Sequence, residues 1–354
     1  MPIRGAVDHL PNRFERVRRS QEEANDLSVE VERGGPKTEF VRDHSRTIVS
    51  TNDSPDLPFR YSINPYRGCE HGCAYCYARP THEFLGYDAG LDFESKIVVK
   101  ENAAQLFRAW LQRAPHVDAR GHSEPVVLSG VTDCYQPAER RFRLTRAVLA
   151  VAREFGQPMS IITKNALVTR DLDLLADLAS RRLVRVAISL TTLDAELAGR
   201  MEPRTSRPAA RLRTIRELTD AGVPVHVMLA PIIPHLNDAE IPTLLEAAAD
   251  HGAVSAGHVL LRLPLSVEPV FRLWLRRHEP TRAEAVESAV RGTRGGAMYS
   301  PKWGQRQSGT GQRAEQIMQT MRVFMKRAGL DVAPPPLDLT LFERPYAGGQ
   351  MALF

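Results

Sequence analysis

Cysteine is scarce in this 354-residue chain: there are four, and three of them fall between positions 69 and 76. A disulfide framework needs cysteines paired along the whole chain. This usage therefore excludes a small cross-linked secreted scaffold and fits a reducing compartment in which thiols act as ligands. Long apolar runs are missing too. No stretch approaches the ~20 apolar residues of a membrane span, and the N-terminal MPIRGAVDHLPNRFERVRR lacks the apolar core of a signal peptide. The expectation is a cytoplasmic chain with no membrane partner. Aromatic residues make up only 6% of the chain, whereas charged residues reach 25% with a formal excess of +5, carried mostly by arginine. That excess favours polyanionic partners in a general way. The arginine runs at 140–146 and 272–277 suit a phosphate-binding face, but equally a solvated helix surface.

What chemistry the sequence does hold is concentrated in residues 61–79, YSINPYRGCEHGCAYCYAR, where Cys69, Cys73 and Cys76 have C-x3-C-x2-C spacing. Thiolates this close in a glycine-containing loop can converge on one soft metal centre. A four-iron cluster normally takes four thiolates, so a tripod of three leaves one iron open to a ligand that is not protein. The alternative is a structural zinc ion, its fourth ligand being Cys134, His71 or His82, although such sites usually pair C-x2-C blocks.

The rest of the chain sets this loop in an α/β pattern. Residues 1–57 are polar and weakly periodic, with turn formers at 50–58, and read as an extended arm with Phe40, Val41, Ile48 and Val49 to bury. Strand-like runs follow at 59–63, 125–129, 159–163, 184–190, 225–230 and 257–263, and a further one at 96–100 leads into a helix at 101–113. Helical patterns at 139–155, 169–182, 207–221 and 238–251 alternate with the later strands. Six βα units make a parallel sheet too short for a closed eight-unit barrel, so the expectation is an open (βα)6 partial TIM barrel over 58–264. Residues 265–354 form a helical extension, with helices at 267–277, 281–291 and 312–328 and a flexible tail. Ligands in parallel α/β folds sit at the C-terminal ends of strands. There the sequence offers Ser129 and Gly130, Thr163 to Asn165, Ser189, and Arg262, with Arg204 in the connection after the fourth strand.

The cysteine motif, with the aromatic Tyr75 before its third cysteine, resembles the signature of the radical S-adenosylmethionine (SAM) enzymes. The resemblance implies a [4Fe–4S] cluster whose free iron chelates SAM, and a flavodoxin- or ferredoxin-type reductant whose electron splits SAM to a 5'-deoxyadenosyl radical. It also implies a partial barrel with the cluster loop after the first strand. Ser129 and Gly130 correspond to the segment receiving the SAM amino group, without the usual Gly-Gly-Glu form. Ser189 corresponds to a ribose contact, and Arg204 or Arg262 would meet the SAM carboxylate. Four cysteines leave no set for a second cluster.

Between Thr38 and Pro264 the chain further resembles the spore photoproduct lyase, or DNA repair photolyase-like, branch. The resemblance is carried by GCxxxCxYCY at 68–77, Thr132-Asp133, Thr163-Lys164, Glu202-Pro203 with Thr205-Ser206, and Ala230-Pro231-Ile232. It implies action on a DNA lesion. Cys134 then reads as a hydrogen-atom donor, a fourth ligand in a resting cluster, or a small buried hydrophobe. The lyases place their donor before the equivalent of Thr132-Asp133, not after it. Rival substrates are RNA, a peptide or a small metabolite, and the non-enzyme rival is a zinc-stabilised nucleic-acid-binding protein. The loop 293–311, with Tyr299 and Trp303 among Arg294, Lys302 and Arg306, suits base stacking and phosphate contact, or simple closure of the barrel mouth. The last five residues, Gln350, Met351, Ala352, Leu353 and Phe354, resemble the peptide by which bacterial repair proteins bind the sliding clamp.

Overall fold

The computed structural model describes residues 4–14 and 36–344. Its main sheet has seven strands. Six are parallel: β3 (Tyr61–Ile63), β6 (Val126–Leu128), β7 (Met159–Thr163), β8 (Val184–Ser189), β9 (Val225–Ile232) and β10 (Ser255–Leu260), adjacent in that order. These segments are rich in β-branched residues and covered on both faces, as parallel strands require; all of β6, for instance, is buried. This is the open (βα)6 partial barrel that the alternation implied.

Helices on the outer face join the strands: α1 (Ala103–Arg113), α2 (Leu144–Phe155), α3 (Leu172–Ser180), α4 (Pro208–Asp220) and α5 (Ile241–Asp250). Their apolar stripes pack with the strands into one large core that includes Phe107, Val148, Leu175, Ile215 and Leu245. The helical run expected at 139–155 is broken, because Arg143 adopts a left-handed φ of 53° between the short helix Glu139–Phe142 and α2. Gly156 closes α2 at φ 60°, where a Cβ would lie 2.1 Å from the Leu341 carbonyl oxygen, so the close approach of the C-terminal segment demands glycine.

Part of the N-terminal region joins the sheets. β1 (Glu39–Arg42) pairs in parallel with β5 (Lys96–Val99), which also pairs with β4 (Tyr66–Arg67) in a separate three-stranded sheet. β2 (Val49–Thr51) adds antiparallel to β3 and forms one edge of the main sheet. The other edge is β10, followed by α6 (Val267–His278), α7 (Ala283–Gly292) and, after the loop at 293–311, α8 (Gln312–Arg327).

That loop straps the two edges together. Leu260 N–H, at the end of β10, donates to Gln307 O at 2.8 Å. Across the opening, Gly304 N–H and Arg306 Nε donate to the two Asp56 carboxylate oxygens at 2.7 and 2.6 Å, and Gln307 Nε2 donates to Asp56 O at 3.0 Å. Arg306 is thus held by a carboxylate while lying over Trp303, and Arg294 is buried. Of the two uses expected for this loop, these contacts serve closure of the mouth. Among the described residues no helix is long and apolar enough to cross a membrane.

Candidate metal centre

The loop after β3 carries Cys69, Cys73 and Cys76, all free thiols, the first two buried and the third half-buried. Its glycines fix the turn. Gly68 and Gly72 have φ of 78° and 66°, and a Cβ on Gly72 would lie 2.6 Å from a Glu94 carboxylate oxygen. Fully buried Arg79 clamps the loop from beneath: Nε and Nη2 donate to Cys73 O at 3.1 and 2.8 Å, and Nη2 pairs with Glu94 at 2.5 Å. Glu94 also accepts from the N–H groups of Gly5 and Ala6 at 3.0 and 2.7 Å, which ties the first residues of the chain to this loop.

A second buried network holds the loop against the strand ends. The Tyr75 hydroxyl donates to Glu202, which also accepts from Thr191 Oγ1 at 2.7 Å and pairs with the fully buried Arg211. Arg211 donates in turn to Ser189 O at 3.0 Å and Ser206 O at 2.8 Å. Burial alone would raise the pKa of Glu202, but the Arg211 charge, with Lys164 and the hydrogen bonds, outweighs it and leaves the carboxyl below its ordinary range. His71, between the first two cysteines, lies 3.3 Å by Nδ1 from Asp133 and 3.0 Å by Nε2 from the Asn165 amide nitrogen. Asp133 also accepts from Thr163 Oγ1 and Lys164 N–H at 2.8 Å each.

The thiols can be tested against the two metal readings. Among the described residues, the one set of three or more His, Cys, Asp or Glu side chains with ligand atoms all within 4.8 Å of one another is His9, Asp88 and Asp92, which is satisfied internally and by Lys96. The three cysteine sulfurs thus do not all lie within 4.8 Å of one another, whereas four bonds of ~2.3 Å to one zinc ion put its ligand atoms about 3.8 Å apart. Cys134, His71 and His82 do not complete such a set, and both His71 nitrogens face other partners. A multi-iron cluster, with each thiolate on its own iron, fits the wider spacing. Burial pushes all three thiols up in pKa, so their thiolates need a cationic centre among them, which the iron of a cluster provides.

The other expected residues fall into two groups. Tyr75 lies within the tripod loop, Gly130 (with Ser129) and Arg262 meet its Tyr77, and Ser189 is linked to it through Arg211 and Glu202. Ser129, at φ 75°, and Gly130 form a tight turn after β6, and the Gly130 carbonyl accepts from the Tyr77 hydroxyl at 2.7 Å. Arg262 lies over the Tyr77 ring, 5.2 Å from its centroid. Lys164, named at the third strand end without a role, is a further cation here, its ammonium 5.8 Å from the Tyr75 ring centroid. Two expected residues have partners or surroundings of their own. Arg204 is paired with Glu70 at 2.8 Å and donates to Thr38 Oγ1 at 3.3 Å, so here it braces the cysteine loop. Cys134 has no exposed surface: it is packed in the main core, its N–H donates to Ser129 Oγ at 2.7 Å, and burial pushes its thiol up. Of the three readings of Cys134, the buried one describes its environment here.

Comparison with known proteins agrees with this geometry. An uncharacterised protein of Mycobacterium bovis is 42% identical over 226 residues, 63% of this chain and 65% of the relative. One from Methanocaldococcus jannaschii is 29% identical over 204 residues, 58% of this chain and 71% of the relative. The chain thus spans about 65% of the length of the first of these relatives. Among solved structures, a mutant of spore photoproduct lyase superposes with a TM-score of 0.57 at 20% identity, covering 81% of this chain and 79% of that one. A mutant of the same lyase with bound AdoMet and dinucleoside spore photoproduct gives 0.56 at 19% identity, covering 81% and 78%. These likenesses are of fold. The family model of the radical SAM superfamily matches residues 63–248, which include the whole cysteine tripod, and this chain belongs to that superfamily.

Proposed function

We propose that this protein is a radical SAM enzyme acting on nucleic acid, with damaged DNA as its substrate and a flavodoxin- or ferredoxin-type protein as its reductant. The observation that carries the chemistry is the trio of thiols in the loop after β4, two buried and one half-buried, whose sulfurs do not all lie within 4.8 Å of one another, beside cations that form no ion pair with a described carboxylate. When bound, the cluster and SAM supply a 5'-deoxyadenosyl radical that takes a hydrogen atom from the substrate. The protein's own residues do the rest. Cys69, Cys73 and Cys76 hold the cluster, Tyr75 is fixed by Glu202, the turn at Ser129 and Gly130 and the end of β8 at Ser189 line the cofactor's place, and Lys164 receives its carboxylate.

The DNA reading is supported by the lyase-like motif positions, by the structural neighbour holding a dinucleoside photoproduct, and by the net positive charge. In this reading 58–264 is the catalytic core and 265–344 closes its mouth. The clamp-binding pentapeptide at 350–354 lies outside the described residues and remains part of the proposal. The test is to reconstitute the protein anaerobically, reduce it, and measure 5'-deoxyadenosine with and without UV-irradiated DNA. The expected result is SAM cleavage together with repair of, or hydrogen exchange with, the irradiated DNA. Cleavage with no effect on DNA would move the substrate to RNA, a peptide or a small metabolite, and no cleavage would remove the radical chemistry.

A further inference from the structure

Arg262, just past β10, and Arg294, which follows α7 and reaches the Leu261 carbonyl, carry positive charge that no described carboxylate balances. Arg262 is half-buried, lies over the Tyr77 ring at 5.2 Å, and has its Nε buried without a hydrogen-bond partner. Arg294 is only 5% exposed. Its Nη1 and Nη2 donate to the carbonyls of Gln305 and Leu261 at 2.8 and 2.7 Å, and its Nε is likewise buried and unpartnered. The two repel: burial brings the Arg294 pKa down to about 10, and the Arg262 charge is the next contribution.

Buried cations are normally paired, because desolvation penalises an isolated charge and each like-charged neighbour adds to the penalty. Arg262, half-buried, with no hydrogen bond or ion pair to any described residue and with the Arg294 charge close by, is therefore short of one anion. It stands at the C-terminal end of a parallel sheet, where ligands bind in such folds. Tyr77 connects it to the metal centre, since Tyr77 follows Cys76 directly and its hydroxyl holds Gly130 O.

We infer that Arg262, with Arg294 behind it, forms a seat for a phosphate group of the substrate. The forked guanidinium of Arg262, with the Arg294 charge behind it, matches the charge and geometry of a phosphate, whereas the single ammonium of Lys164 beside Tyr75 suffices for the one carboxylate of SAM. The inference rests on the reading that the substrate is a nucleotide or polynucleotide. It adds that recognition runs through the phosphate next to the reacting base.

The test uses the anaerobically reconstituted holoenzyme, with thymidine 5'-monophosphate, thymidine and SAM titrated separately by calorimetry. Wild-type protein binds the monophosphate more tightly than thymidine. Arg262→Gln weakens monophosphate binding by about tenfold or more and leaves SAM affinity within about twofold. Arg262→Lys, which keeps one charge, falls between them and guards against a folding defect. Arg294 is not the primary variant, because its carbonyl contacts brace the loop at 293–311. The inference is overturned if the wild type does not discriminate the monophosphate from thymidine, if Arg262→Gln leaves monophosphate binding intact, or if its loss falls on SAM, which would make the seat the cofactor's. Absence of 5'-deoxyadenosine from a protein that still binds the monophosphate through Arg262 would sink the radical reading and leave the seat standing.

Discussion

The Tyr75 hydroxyl is hydrogen-bonded to the carboxylate of Glu202, so a residue inside the cysteine motif is anchored by one that lies 127 positions later in the chain. Glu202 is in turn paired with the fully buried Arg211. Breaking one side of a buried pair leaves an uncompensated charge and costs about 3–5 kcal/mol. Glu202→Gln should lower unfolding stability by an amount of that order in urea titrations. The double variant Glu202→Gln/Arg211→Met should lose less than Glu202→Gln alone, because it removes the orphaned charge. Equal or additive losses would show that the pair does not brace the loop.

Replacing any one of Cys69, Cys73 and Cys76 by alanine should abolish stable iron incorporation on anaerobic reconstitution, whereas Cys134→Ala should retain it. Cys134 lies wholly in the core, so its variant should be read as a packing change, with a cost of about 1 kcal/mol for one small buried group and no change in product. An altered product with unaltered stability would return Cys134 to the chemistry.

His82 and His116 are both buried, and burial brings each pKa down to about 4. Their folded-state values lie below the unfolded value near 6.5, so between pH 6.5 and 4 the unfolded chain binds more protons. Stability is full above about pH 6.5 and falls as the pH drops, by up to about 3 kcal/mol for each fully buried histidine. His116 stacks on Trp110, meets Phe342 edge-on and contacts Gln157, whose carbonyl oxygen also accepts from Ser123 Oγ. His116→Phe should therefore flatten the acid limb of a stability–pH curve without leaving Gln157 unpaired. An unchanged slope would contradict this.

The strap at 293–311 is held across the barrel opening by the Asp56 carboxylate, which accepts from Gly304 N–H and Arg306. Asp56→Ala should loosen the strap and leave the core intact. Limited proteolysis should then cut within 293–311 several-fold faster, with global unfolding changed by only about 1 kcal/mol. Equal cutting rates would show that other contacts close the opening.

Local patterns in the sequence carried most of the barrel. The β7 limits coincide with the apolar run at 159–163, and α4 begins at Pro208, where proline suits the first helical turn. The tripod was legible because its ligands are neighbours in the chain. The bracing network was not, since Arg79–Glu94, Tyr75–Glu202–Arg211 and His71–Asp133 pair residues across long separations and leave no periodic trace. Its one sequence signal was that Asp133 and Glu202 lie within the motif fragments of the family resemblance, without any role attached. The pairing of β1 with the distant β5 escaped for the same reason, whereas β2, which pairs with the next strand β3, escaped because a short polar strand such as Val49–Thr51 has no alternation to read. The burial of Cys134 follows from the side its strand-end turn faces, which spacing does not encode.

The central claim is that Cys69, Cys73 and Cys76 hold a four-iron cluster with one iron free to bind SAM. Electron paramagnetic resonance of the reduced protein, recorded before and after adding SAM, tests it most directly. The account predicts a cluster signal whose shape changes on SAM addition and which disappears in the Cys73→Ala variant. A protein that takes up zinc instead of iron, or a cluster signal that SAM leaves unaltered, would contradict it.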